Sequence, residues 1–242
     1  MSESSPARRR ATYDDLCRVP EHLVAEILDG ELLVTPRPAP RHAHVGSALV
    51  TELHGAFGQG RGGPGGWWIL YEPELHLGED VVVPDIAGWR RERLPALPDA
   101  AFFTLAPDWV CEILSSSTER TDRRRKLSIY ARERVAHAWL VNPTLRTIEI
   151  FRLENARWVV LETRDGEDTV RAEPFDAITL DLNRIWPDPP PAVLINETHV
   201  DRSMQKPELR QLLSRKLVSI EPTSALEDVW QAAEKTQPEV KS

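Results

Sequence analysis

The sequence predicts an α/β or α+β domain with a mixed central β-sheet flanked by helices, followed by a helical or partly disordered C-terminal tail. Three observations lead there. Short runs rich in β-branched and aromatic residues alternate with segments of helical periodicity. A hairpin signal, Asp29-Gly30, stands between two apolar runs near the start. Strand signals stop after Trp186, where Pro187-Asp188-Pro189-Pro190-Pro191 marks a domain edge.

Residues 1–11 are small, polar and arginine-rich, and are expected to form a disordered arm. Thr12, with Asp14 and Asp15 in the turn after it, reads as a capped helix start. Val24–Leu28 and Glu31–Val34 are the arms of the hairpin, and Pro36, Pro38 and Pro40 close that unit. From His42 to Gly58 the residues Val45, Leu49, Leu53 and Phe57 make a helical stripe, which a glycine-rich loop ends. Trp68–Leu77, Val81–Ala87 and Trp109–Leu114 read as strands, and Asp122–Val135 as a helix. Ala138–Val141, Thr147–Leu153 and Trp158–Glu162 are further strands, with Asn142-Pro143 as a turn. Trp68, Trp109 and Trp139 are expected in the core, and Trp67 and Trp89 are the candidate surface tryptophans. One domain spans residues 12–190. In the extension, 191–242, Leu209, Leu212, Leu213 and Leu217 suggest one short amphipathic helix and Leu226, Val229 and Trp230 another.

Composition narrows the function. No apolar run approaches the ~20 residues of a membrane helix, and no apolar stretch follows Arg8-Arg9-Arg10 as in a signal peptide. Two cysteines, Cys17 and Cys111, make neither a disulfide framework nor a paired metal-ligand spacing, so a reducing cytoplasm is the expected compartment. A net charge of −8 argues against a protein that coats nucleic acid, since such affinity comes from neutralising phosphates. Any nucleic acid must be held by a local surface.

Two carboxylates stand out. In a continuous strand Val83, Asp85 and Ala87 share one face, and on the later strand Val110, Glu112 and Leu114 do. Each strand is otherwise apolar, so each acid sits where an unpaired charge is expensive. A hard divalent cation would relieve that cost, and so would a buried arginine. Asp122 and Lys126 form an i,i+4 pair that supports a helix with or without chemistry. Glu26 is either an exposed strand acid or a ligand of a metal or water. His44 is either a polar residue near a helix start or a phosphate contact, while His42 and His54 read as surface histidines. The histidines lack partner spacing for zinc.

Several pieces in order carry a resemblance. They are Glu26-Ile27-Leu28-Asp29-Gly30-Glu31-Leu32, His44 opening a helix, Val-Val-Val-Pro-Asp ending at Asp85 and followed by Ile86-Ala87, Glu112-Ile113-Leu114-Ser115 with Ser117-Thr118, Asp122 with Lys126 and Tyr130, and Trp139-Leu140-Val141-Asn142-Pro143. Over roughly residues 12–186 the chain resembles the Uma-type restriction endonuclease family of bacteria, within the PD-(D/E)XK nuclease superfamily. The resemblance implies a restriction-endonuclease-like core and a metal-dependent endonuclease that hydrolyses phosphodiester bonds, with DNA as its nucleic acid. It implies Asp85 and Glu112, with the backbone carbonyl of Ile113, as ligands of Mg2+ or Mn2+. It also implies Glu26 and His44 as further catalytic positions, and a homodimer that presents two sites to one duplex. The superfamily's lysine belongs two residues after the glutamate, where this chain has Leu114, so the implied lysine is Lys126 on the next helix. The rival reading is a nuclease fold that binds nucleic acid or a protein partner without cutting. Glycoside hydrolysis by the two acids is disfavoured by the nearby lysine and by the lack of a sugar platform.

Overall fold

The structure is a computed structural model that describes residues 9–166 and 168–187. The expected extension and its two helices lie outside those residues, as do residues 1–8. Residues 9–11, expected in a loose arm, are bonded to the body. Ala11 N–H donates to Gly30 O at 2.8 Å, and Arg9 pairs with Asp15. Helix α1 (Tyr13–Cys17) opens with the Thr12 cap that the sequence suggests, which Asp15 makes reciprocal. Asp15 N–H donates to the Thr12 hydroxyl, and Thr12 N–H donates back to the Asp15 carboxylate at 2.9 Å.

Strands β1 (Leu23–Leu28) and β2 (Glu31–Pro36) pair antiparallel through a two-residue turn. Asp29 and Gly30 both take positive φ there, as a turn matched to strand twist requires. Helix α2 (Pro40–Leu53) follows and runs on through a π-helical turn, His54–Gly58.

Each of the next two expected strands proves to be two. Trp68–Leu77 divides into β3 (Trp67–Tyr71) and β4 (Leu75–Leu77), broken where Glu72 takes positive φ ahead of Pro73. Val81–Ala87 divides into β5 (Asp80–Val82) and β6 (Ile86–Arg90), broken at Val83-Pro84-Asp85. Proline has no N–H to give a ladder, which explains why both breaks fall there. The two breaks are joined, since Glu72 N–H donates to Asp85 O at 2.9 Å. At each break the chain passes between two sheets.

The smaller sheet is antiparallel, in the order β2-β1-β5-β4. The larger is mixed, in the order β10-β9-β8-β7-β6-β3, and adds β7 (Trp109–Ile113), β8 (His137–Asn142), β9 (Thr147–Glu154) and β10 (Arg157–Asp165). Its single parallel pair, β7 with β8, needs a crossover. The segment between them supplies it as α3 (Glu119–Thr121), a π-helical turn (Asp122–Lys126) and α4 (Leu127–Arg132). The helix expected over 122–135 therefore starts earlier, stops earlier and contains a π turn that its apolar spacing does not betray. A short ribbon, β11 (Thr169–Val170) with β12 (Leu180–Asp181), ends the described chain.

Two cores lie on opposite faces of the larger sheet. Trp109, Cys111 and Ile113 of β7 face Val45, Leu49 and Leu53 of α2, together with Phe175 and Trp186. Val110 and Leu114 face Ile129 and Tyr130 on the α4 side, where Leu28, Leu77 and Val82 of the smaller sheet join them. Alternation along β7 thus puts Glu112 on the α4 side. Trp67 and Trp89, the candidate surface tryptophans, are buried, and Trp89 donates its indole N–H to Leu105 O at 2.9 Å. No helix among the described residues is long and apolar enough to cross a membrane.

Candidate active site

The break between β5 and β6 builds the site. Continued in register, β6 would set Pro84 opposite Ile113, where it could offer no N–H and where the main chain has already turned away. The Asp85 side chain takes over as acceptor, its Oδ2 receiving Ile113 N–H at 2.6 Å. Asp85 is therefore a loop residue fixed to the end of β7. The shared-face argument for a continuous strand does not apply to it, although the residue still comes beside Glu112.

Glu112 faces α4 with a side chain 2% exposed. Its Oε1 accepts the Tyr130 hydroxyl at 2.5 Å, and its Oε2 faces Lys126 Nζ at 3.2 Å. Lys126, 7% exposed, stands 2.9 Å from Glu26 Oε1 and 3.7 Å from Asp122 Oδ1, and donates to Val83 O at 3.2 Å. The displaced lysine thus reaches the glutamate from the neighbouring helix. Glu26 is neither exposed nor idle: its Oε1 also accepts Val83 N–H at 2.8 Å, which clamps β1 to the break.

Histidine placement differs from expectation. His44 is exposed and does not line the cleft. His42, expected at the surface, has a side chain 12% exposed, with Nε2 3.2 Å from Asp85 Oδ1. The periodicity of α2 held that signal. Val45, Gly46, Leu49 and Leu53 are the buried positions, and His42 lies three and four residues before the first two, whereas His44 is off the stripe. Asp122 is also part of the site, beyond its role as a helix-pair acid.

Two of the three arginines before Lys126 have structural partners. Arg123 pairs with Glu119 and Glu149, and Arg125 pairs with Glu31 and reaches Leu28 O. Arg124 is exposed.

Glu26, His42, Asp85, Glu112, Asp122 and Lys126 floor a cleft of about 400 Å3. Hydroxyls of Ser115, Ser117 and Thr118 form one lip, linked at 2.9 and 3.0 Å through Ser115 Oγ. Five carboxylates line it (Glu26, Glu72, Asp85, Glu112 and Asp122) against two permanent cations, Arg37 and Lys126. Burial by itself would strip the proton from Lys126, but Glu112, Glu26, Asp122 and Asp85 together hold it well above the usual lysine range. One ammonium cannot serve them all. Burial drives Glu112 well up despite Lys126, and the neighbouring acids add to the rise. Asp122 is pushed up to about 6, again by burial against the pull of Lys126. Burial opposes charge on His42, yet Asp85 and the Ile113 backbone outweigh it and raise its pKa.

The donor set fits a hard divalent cation. It offers carboxylate oxygens in excess of the protein's own positive charge, and magnesium needs only one or two of them beside water and phosphate oxygens. A cage of the zinc or calcium kind is not built: among the described residues no three His, Cys, Asp or Glu side chains converge on one point.

Comparison with known proteins agrees with this architecture. A family model described as "Uma2: Putative restriction endonuclease" matches residues 10–183. A solved structure from Anabaena variabilis, described as a putative nuclease belonging to DUF820, superposes with a TM-score of 0.60 at 22% identity, covering 73% of this chain and 97% of that one. At that identity the likeness shows the fold. No curated protein matches the chain.

Proposed function

The chain belongs to the Uma2 restriction endonuclease family, and from that premise we propose that it is a metal-dependent endonuclease that hydrolyses phosphodiester bonds in DNA. Family membership supports a nuclease. The observation that carries the rest is the charge of the cleft. Even with Glu112 carrying a proton, carboxylates outnumber the permanent cations of the pocket, which disfavours entry of a polyanion unless further positive charge comes with it. Asp85 and Glu112, with the main-chain carbonyl of Ile113, would hold Mg2+ or Mn2+. When bound, the ion supplies a water of lowered pKa and neutralises the non-bridging phosphate oxygens.

The chain's own groups do the rest. Ile113 N–H holds Asp85 in one orientation, and Tyr130 fixes one oxygen of Glu112, so neither carboxylate must reorganise when substrate arrives. Lys126 keeps its proton and places a positive charge at the cleft floor, where negative charge grows in the transition state. The serine-rich lip offers hydroxyl donors to phosphate oxygens.

A second reading, binding without cutting, is favoured by the engagement of Lys126 with three carboxylates, which leaves it little freedom to meet substrate. One experiment separates the two. Supercoiled plasmid, single-stranded DNA and RNA are incubated with the protein and Mg2+ or Mn2+, beside the Asp85→Ala and Lys126→Ala variants. Metal-dependent DNA cleavage that both variants lose supports the endonuclease. Retention of DNA in a gel shift without cleavage supports the binder. Equal cleavage by wild type and variants refutes this site.

A further inference from the structure

We propose that the cleft takes an unpaired DNA strand in preference to an intact duplex, and that Arg37 grips the phosphate next to the one placed over Asp85. The inference rests on the endonuclease reading above and narrows its substrate.

The lining of the cleft is two-sided. Strand alternation puts Val24 on the same face of β1 as Glu26, and cross-strand pairing sets Leu33 of β2 beside Glu26. With Pro36 and Pro38 these residues make an apolar wall next to the acids, while the serine lip supplies the hydroxyls. The outer face of a strand in a duplex is phosphate and sugar, with the bases stacked inside. Such a wall beside the cutting groups would have nothing to meet there. An unpaired base brings an apolar face along with its phosphate and can lie against the wall.

Size points the same way. A cleft of about 400 Å3 is of small-molecule dimensions and suits one nucleotide. A second cavity of about 390 Å3 adjoins it, sharing Val24, Arg37, Glu72 and Val83. Leu16, Val19 and Leu23 give that cavity an apolar side of its own. Two nucleotide-sized hollows thus lie in series, and Arg37 lines both.

Arg37 is the cation open to a ligand. Lys126 is enclosed by three carboxylates, whereas Arg37 is more than half exposed. It donates to Glu72 at 3.3 Å and to Glu21 O at 3.0 Å, which hold the guanidinium at the junction of the two cavities. Others of its five N–H groups are left for a phosphate. A half-exposed ion pair of this kind is weak, so a phosphate can also take the place of Glu72.

The test uses full-length protein with Mn2+ and three substrates of one sequence: a single strand, its fully paired duplex, and that duplex with a short unpaired loop. The expected result is cleavage of the single strand at least about tenfold faster than of the duplex, and of the looped duplex within its loop. On the single strand Arg37→Gln raises KM about tenfold at unchanged kcat, and Arg37→Lys recovers part of the loss. In Arg37→Gln the slope of log KM against log salt also becomes shallower by about 0.7, the share of one phosphate on a single strand. A merely structural role would not move that slope. Duplex cleaved as fast as the single strand overturns the inference and leaves the endonuclease standing. Arg37→Gln with unchanged KM and salt slope overturns the phosphate contact. No metal-dependent cleavage of any of the three overturns the endonuclease reading, and this inference with it.

Discussion

Replacing Lys126 with methionine keeps the length of the side chain and removes its charge. Glu26, Glu112 and Asp122, all under a tenth exposed, then lose the one ammonium they share. Breaking a buried pair from one side costs about 3–5 kcal/mol. A second route gives the same size. The stranded cluster can take up a proton, and protonating one carboxylate of ordinary pKa about 4.3 at pH 7.5 costs about 4 kcal/mol. At pH 5 the same step costs about 1 kcal/mol. The sign follows from the raised pKa of Glu112 and Asp122 in the folded chain, driven by burial. Stability is fully present below their ordinary range and is lost as pH rises towards the folded value. Urea denaturation of wild type and Lys126→Met at pH 7.5 and 5.0 is the assay. The expected loss is about 4 kcal/mol at the higher pH, or about 8–16 °C in Tm, and about 1 kcal/mol at the lower. A loss under about 1 kcal/mol at pH 7.5, or one independent of pH, would refute the claim that one lysine balances the cluster.

Other consequences are equally concrete. Tyr130→Phe leaves Glu112 Oε1 without its buried donor and should cost about 1–3 kcal/mol in urea melts, with no change at all arguing against that bond. Asp85→Ala should lower DNA cleavage at least about a thousandfold, the several kcal/mol that a metal-held phosphate supplies, read as plasmid nicking rates in Mn2+. Saturating Mn2+, at about a hundred times its Kd, should stabilise wild type by about 2.7 kcal/mol and Asp85→Ala by almost nothing, read as Tm shifts. His44→Ala should leave both Mn2+ affinity and cleavage within about twofold of wild type, as expected of a surface substitution away from special features, and a larger loss would return His44 to the site.

Much of the fold is written in local patterns. The hairpin at Asp29-Gly30, the cap at Thr12, the stripe of α2 and the alternation in β7 each follow from a few neighbouring residues, and each is present. What sequence hid was the passage of the chain between sheets. A run such as Val81–Ala87 has uniform β-propensity, and only Pro84 hints that the ladder must end, so the sequence predicts a strand residue at Asp85 where the fold makes it a loop acceptor for Ile113 N–H. The π turn at Asp122–Lys126 is hidden for a related reason: apolar spacing fixes which face is buried, not how many residues make a turn. In the site, Lys126 comes from the family resemblance, which implies a lysine displaced from the position Leu114 holds; its i,i+4 spacing from Asp122 leaves a purely helical role equally open. His42, and not His44, shares the helical phase of the buried α2 positions, a signal present in the apolar spacing.

The central claim is that Asp85 and Glu112 form a cation site at the floor of an acidic cleft. Calorimetric titration of Mn2+ into wild type, Asp85→Ala and Glu112→Gln tests it without any need to find the right substrate. Saturable binding to wild type that is lost in Asp85→Ala and weakened at least about tenfold in Glu112→Gln is the predicted result. Equal binding by all three, or no binding to wild type, would contradict it.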